Sequence, residues 1–206
     1  MNRRLLLPLL CWTLTLAAGA APAGDPAQDP GWRQLFRSLA PVRAREVPFT
    51  EERYFPFRRQ PIVLTGTVRL APGRGLSLEY RAPASRIIIV DGQGVLVRES
   101  GGQRAAPDDR RAQAATAALA AVLRFDPAEL DRDFSLRGDR RETGWTLALV
   151  PRDPALAASL HSIVVSGTPA GLARIELNAG LRIEIILGPA LEGAALTAAD
   201  LARYFR

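Results

Sequence analysis

Lysine is absent from this 206-residue chain, cysteine, methionine and histidine occur once each, and aromatic residues make up only 6%. One histidine and one cysteine cannot build a His/Cys metal cluster or a disulfide framework. No serine lies in a Gly-x-Ser-x-Gly elbow. Asp91-Gly92-Gln93-Gly94 lacks the spacing of a phosphate loop and reads as a hairpin turn. His161 stands at a helix-to-strand junction without companion ligands. The carboxylates Asp108/Asp109, Asp126/Glu129 and Asp131/Asp133 fall at helix starts, where capping accounts for them, and show no calcium-loop spacing. No nucleophile–base pair is legible, so no catalytic residue, metal or cofactor is expected.

All 27 basic residues are arginine. Alongside abundant Ala, Gly and Pro, this reads as genomic base composition. The formal charge of +6 becomes +4 if Arg3 and Arg4 are lost with a leader. The pairs Arg58-Arg59, Arg110-Arg111 and Arg140-Arg141 are scattered beside turns or helix starts, as solvated loop charge is. They do not form a nucleic-acid patch. Such an excess is compatible with an anionic membrane surface or an acidic partner.

Met1 to about Ala20 reads as a secretory leader: Arg3 and Arg4, the apolar run Leu5–Leu16, then Ala18-Gly19-Ala20 as cleavage site. Cys11 is preceded by Pro8-Leu9-Leu10, not by the small residues expected before a lipidated cysteine. The expected location is the periplasm. Residues 21–30 read as a disordered lead-in, and 31–206 as one domain without a dividing linker or a fixed-period repeat.

Trp32, Leu35, Phe36 and Leu39 fall at helical spacing. From Glu46 the period becomes two. Strands are expected over Phe49–Phe55, Pro61–Ala71, Leu76–Tyr80, Ile87–Val90 and Val95–Arg98, joined by Gly- and Pro-containing turns. An Ala-rich helix over Ala112–Leu123 and a short one from Asp126 follow, then strands at Phe134–Arg137, Trp145–Val150, Ile163–Ser166, Ala173–Asn178 and Leu181–Leu187. Pro154–Leu160 suggests one or two helical turns, and Thr197 caps a last helix over Ala198–Phe205. The fold class is α+β: one curved antiparallel sheet of about ten strands, an incomplete barrel, with helices on a single, concave face.

An ordered series of weak motifs resembles the LolA-type periplasmic lipoprotein carriers and their LolA-like relatives. The matches are Phe49-Thr50-Glu51-Glu52, Gly66 and Pro72, Tyr80 with Pro83, Ile89-Val90-Asp91-Gly92, and Trp145–Pro151, spanning Trp32 to Phe205. The resemblance implies an acyl-chain cavity between sheet and helices. Leu64, Val68, Leu76, Leu78, Tyr80, Ile87, Ile89, Trp145, Leu147, Ile183 and Ile185 would line it, with Leu119 and Leu123 on the lid. The alternative for each is a place in a filled core. The carriers hold their lid with an arginine immediately before the proline matched to Pro72. Here that position is Ala71, flanked by Arg69 and Arg74. This favours the LolA-like branch, whose cargo is a lipoprotein or an acylated small molecule. The resemblance further implies a monomer working between an RND-type inner-membrane exporter and an outer-membrane acceptor. The competing expectation is a periplasmic adaptor or sensor of the same fold that acts through protein contacts.

Overall fold

The computed structural model describes residues 26–105, 110–125, 127–193 and 195–206. The expected leader, residues 21–25, and Asp108, Asp109 and Asp126 lie outside the described residues. Helix α1 (Pro30–Leu39) precedes β1 (Arg45–Tyr54), β2 (Ile62–Ala71), β3 (Gly75–Ala82), β4 (Arg86–Asp91), β5 (Gly94–Glu99) and β6 (Gly102–Ala105). Helices α2 (Arg110–Arg124) and α3 (Pro127–Asp133) lead to β7 (Phe134–Arg140), β8 (Trp145–Pro151), the short α4 (Pro154–Ala157) and β9 (Ser162–Thr168). The chain then forms β10 (Gly171–Asn178), β11 (Arg182–Leu187), β12 (Leu191–Glu192) and α5 (Ala198–Tyr204).

The strands make one antiparallel sheet in the order β6-β5-β4-β3-β2-β1-β11-β10-β9-β8-β7, with β12 added to β1. Two meanders, β1–β6 and β7–β11, are joined where β1 pairs with β11. The edges β6 and β7 do not pair, so the sheet is not closed into a barrel. The expected open sheet is present, with the short strands β6 and β12 added to it.

Side chains alternate between the two faces of a sheet, so the register sorts them. Val47, Phe49 and Glu51 on β1 lie opposite Val68, Gly66 and Leu64 on β2, and Val68 and Leu70 lie opposite Leu78 and Leu76 on β3. The row continues through Ile185 and Ile175 to Val165 and Leu147 in the other meander. This inner face meets Trp32, Phe36 and Leu39 of α1, Ala118–Leu123 of α2, Phe125, and Leu130 of α3 in one buried cluster. From Ala118 to Leu123 every side chain of α2 is buried. A helix buried on all sides is a core element, unlike a helix that shows one face to water.

Close approach explains two glycines. A Cβ on Gly138 would stand 2.2 Å from the Trp32 ring, and one on Gly66 would stand 2.6 Å from Phe49. Bare backbone there lets Trp32 lie against β7 and Phe49 against β2. Asp29 caps α1 by accepting from the Trp32 N–H (2.8 Å), and Pro30 occupies the first turn. Pro26 is buried and Ala27 packs on the main cluster. The end of the expected disordered lead-in is therefore part of the folded domain, because burial and the Asp29 cap tie it down.

The expectation that all helices cover one face is corrected by α5. Tyr204 and Phe205 pack with Ala71, Ile87, Ile89 and Leu96 in a second buried cluster on the outer face. Arg69 places its guanidinium 3.6 Å from the centre of the Tyr204 ring and pairs with Glu79 (2.9 Å). Arg98 donates to the carbonyls of Ala202 (2.8 Å), Arg203 (2.5 Å) and Phe205 (3.0 Å), satisfying orphan acceptors at the end of α5. At its start, Thr197 and Asp200 form a capping box. Hydrogen bonds from Thr197 hold the Asp200 carboxyl below the ordinary carboxylate range.

One carboxylate lies buried on the inner face. Glu51 accepts from the Tyr80 hydroxyl (2.6 Å) and from Arg53 Nε (2.5 Å). These bonds offset the cost of its desolvation. Burial, and then the Glu51 charge, push the Tyr80 hydroxyl well above the ordinary phenol range.

Two outcomes follow from this packing. Tyr80 binds its proton more tightly folded than unfolded, so its contribution is complete below pH about 10 and is lost as pH rises above that value. Alkaline melting curves should therefore fall more steeply for the native chain than for Tyr80→Phe. At neutral pH that variant should lose about 1–3 kcal/mol, since Glu51 keeps only Arg53. Separately, Phe205→Ala removes a fully buried ring, worth about 3–5 kcal/mol in a core. Hydrogen exchange should then accelerate over α5 and leave the inner-face strands protected.

Candidate functional site

Open space lies at one end of the inner face, where the strands end. At the end of the sheet where β1 begins and β2 and β11 finish, a cleft of about 360 Å³ separates α1 and α2 from the strands. Its apolar wall is Leu39, Val47, Leu70, Leu123, Phe125 and Leu187. Ser38, Arg45 and Thr168 add polar groups, and Arg45 Nη1 reaches the Leu39 carbonyl at 3.4 Å. An apolar cleft of this size with a few polar groups falls in the range of small-ligand sites, about 300–1,000 Å³.

A second hollow of about 340 Å³ lies beside it, walled by Ala40, Pro41, Ala71, Pro72 and Arg124. Leu70 and Phe125 line both spaces and are their common wall. Phe125 ends α2 with a φ of 48°, a left-handed conformation uncommon outside glycine. Its N–H donates to the Val122 carbonyl (3.1 Å). Its ring stands edge-on to Trp145 at 5.9 Å and tilted to Phe36 at 6.4 Å. Aromatic packing thus holds the backbone in a conformation it would not choose locally, and it does so where α2 meets the cleft.

Of the residues chosen from the sequence, Leu123 alone lines this cleft. Leu64, Val68, Leu76, Leu78, Tyr80, Leu119, Trp145, Leu147 and Ile185 are gathered in the main cluster, with Ile183 partly buried against it. In that cluster they are packed together with residues of α1, α2 and α3, and Trp145 also borders an open hollow with Thr146, Ser166 and Gly167. Ile87 and Ile89 are not among them: both point to the outer face, beneath Tyr204 and Phe205. Their inner-face neighbours on β4 are Ile88 and Val90, aligned with Leu78 and Leu76. Reasoning from the sequence missed Leu39, Val47, Leu70, Phe125 and Leu187, because the cleft is assembled from the ends of elements.

Arg69, beside the position of the carriers' latch, faces outward to Glu79 and Tyr204 and so does not substitute for that latch. His161 is exposed beside a shallow hollow shared with Tyr54, Phe55, Asn178 and Arg182, whose other lining residues include no nucleophile or carboxylate. Among the described residues, no group of three His, Cys, Asp or Glu side chains could hold a metal ion, and no helix is long and apolar enough to cross a membrane.

The chain is similar to several solved structures and to one family model. A domain from Vibrio parahaemolyticus, described as outer membrane lipoprotein-sorting, superposes with a TM-score of 0.50 at 8% identity, covering 83% of this chain and 94% of that one. A LolA superfamily protein from Nitrosomonas europaea gives 0.42 at 8% identity, over 78% and 90% of the two chains. The MucA/MucB complex from Pseudomonas aeruginosa gives 0.46 at 17% identity, over 86% of this chain and 60% of that one. No curated protein matches in sequence. The model of a family described as outer membrane lipoprotein carrier protein LolA-like matches residues 20–204, and the chain belongs to that LolA-like family.

Proposed function

We propose that this protein is a periplasmic carrier that takes up the acyl chains of a lipoprotein or lipid-linked product and passes them toward the outer membrane. The observation that carries this reading is the Leu70–Phe125 cleft, which opens beside a helix segment packed on the inner face, half of whose residues are alanine. Cargo enters there and replaces α2 on the sheet. The energies are matched. Leu119, Val122 and Leu123 each gain about 1.5–3 kcal/mol from burial, and an acyl segment of about ten methylenes gains about 8 kcal/mol at about 0.8 kcal/mol each. An empty carrier is thus closed by its own helix, and a loaded one hides the cargo instead.

Exchange needs no chemistry from the protein. Each transfer runs downhill if the next partner holds the cargo more tightly. Membership in the LolA-like family supports a donor at the inner membrane, of the RND exporter class, and an acceptor at the outer membrane.

Ala173 and Ala190 are exposed on the wall of the cleft, so Ala173→Trp and Ala190→Trp fill it without entering the core. Each should weaken uptake of a fluorescent fatty-acyl probe at least tenfold while stability changes by less than about 0.5 kcal/mol. Unaltered uptake in both variants would overturn the cleft as the acyl site, and a native chain that takes up no probe and yields no lipid on organic extraction would move the assignment to a protein-binding adaptor.

A further inference from the structure

The opposite end of the sheet carries a different surface. The β1–β2 loop, Phe55–Pro61, projects Phe57, which is 81% exposed and the most exposed aromatic ring among the described residues. The loop is built, with Phe55 and Phe57 rings 5.4 Å apart and the Arg58 N–H donating to the Phe55 carbonyl (3.0 Å). Pro56 and Pro61 stiffen it further. A single exposed ring is ordinary on a protein surface, so a reason for this one must come from its surroundings.

Charge supplies that reason. The β1–β2 loop lies between the β3–β4 and β10–β11 turns, because the strands stand in the order β4-β3-β2-β1-β11-β10. Across residues 53–61, 80–86 and 177–183 the sequence holds Arg53, Arg58, Arg59, Arg81, Arg86 and Arg182 and not one Asp or Glu. Arg53 and Arg86 are engaged by Glu51 and the Tyr80 ring, and Arg182 by the Tyr54 ring and the Glu184 and Glu176 carboxylates on the strands beside its turn. Arg58 and Arg59 are exposed and make no ion pair among the described residues. The nearest carboxylate along the chain, Glu52, is taken by the Tyr54 hydroxyl.

We infer that this end of the protein docks on an anionic phospholipid surface, with Phe57 entering the headgroup layer and Arg58 and Arg59 lying against the phosphates. An aromatic tip flanked by arginines suits that interface, where the ring leaves water and the guanidinium groups stay at the charged surface. The ring stands on a projecting loop, not in a groove, which favours a soft planar surface over a folded partner. The inference does not rest on the carrier reading, since the loop is at the opposite end of the sheet from the cleft.

Flotation of the purified chain with phosphatidylglycerol-containing vesicles, against pure phosphatidylcholine vesicles, tests it. Binding should require phosphatidylglycerol and fall with added salt. Arg58→Gln with Arg59→Gln should weaken it about twenty-five-fold, at about fivefold per basic residue. Phe57→Ser should weaken it while leaving acyl-probe uptake unchanged. The emission of Phe57→Trp, read on a background of the buried Trp32 and Trp145, should gain a blue-shifted component on the same vesicles. Equal binding to both lipids, undiminished binding by the arginine double variant, or an unshifted emission from the Phe57→Trp variant would each overturn the inference, the last in favour of a protein partner.

Discussion

Everything in this structure depends on how the inner face of an open sheet is kept dry. Because β6 and β7 do not pair, the sheet cannot bury that face by closing on itself. The helical segment Ala118–Leu123 does so instead, together with Trp32 and Phe36 from α1. Three of its six residues are alanine, which lets the helix come close to the strands but gives it few methylene groups to hold it there. For the proposed carrier, the same composition that permits close packing would make that packing exchangeable. The aromatic set Phe36, Phe125 and Trp145 marks the end of that segment, and Phe125 carries the set into the wall of the cleft that α1 and α2 both line.

The outer face is held differently. There Arg98 of β5 donates to the carbonyls that end α5, and a capping box closes the start of that helix, with Phe205 as the apolar anchor. One face thus rests on apolar packing, half of it alanine in the α2 segment, and the other adds charge-assisted bonds. That division suits a protein in which one helix layer moves and the other keeps the sheet in shape. The buried Glu51, tied to Tyr80 and Arg53, adds a fixed polar point on the inner face at the end remote from the cleft.

Most of the strands were legible in the sequence because alternation over β2, β3, β8 and β11 is clean and the turns carry Gly or Pro. What was not legible has physical causes. Ile87–Val90 is apolar at every position, so it carries no phase; a strand covered on both faces reads that way, and only α5 reveals that Ile87 and Ile89 belong outside. The short strands β6 and β12 have too few residues for a period to show. The cleft could not be read because Leu39, Val47, Leu70, Phe125 and Leu187 come from five different element ends, and no local pattern links them. The Arg58-Arg59 pair was visible as charge, but its meaning depends on the acid-free turns that the sheet order sets beside it.

If cargo takes the place of α2 on the inner face, that helix must leave the sheet when the protein is loaded. Hydrogen exchange over Ala118–Arg124, with and without a bound fatty-acyl ligand, reads this displacement. Exchange in that segment should become faster on loading, while β2, β3, β8 and β11 stay protected. Unchanged or slower exchange in α2 with ligand bound would refute displacement, and would mean that the helix stays on the sheet while cargo sits elsewhere.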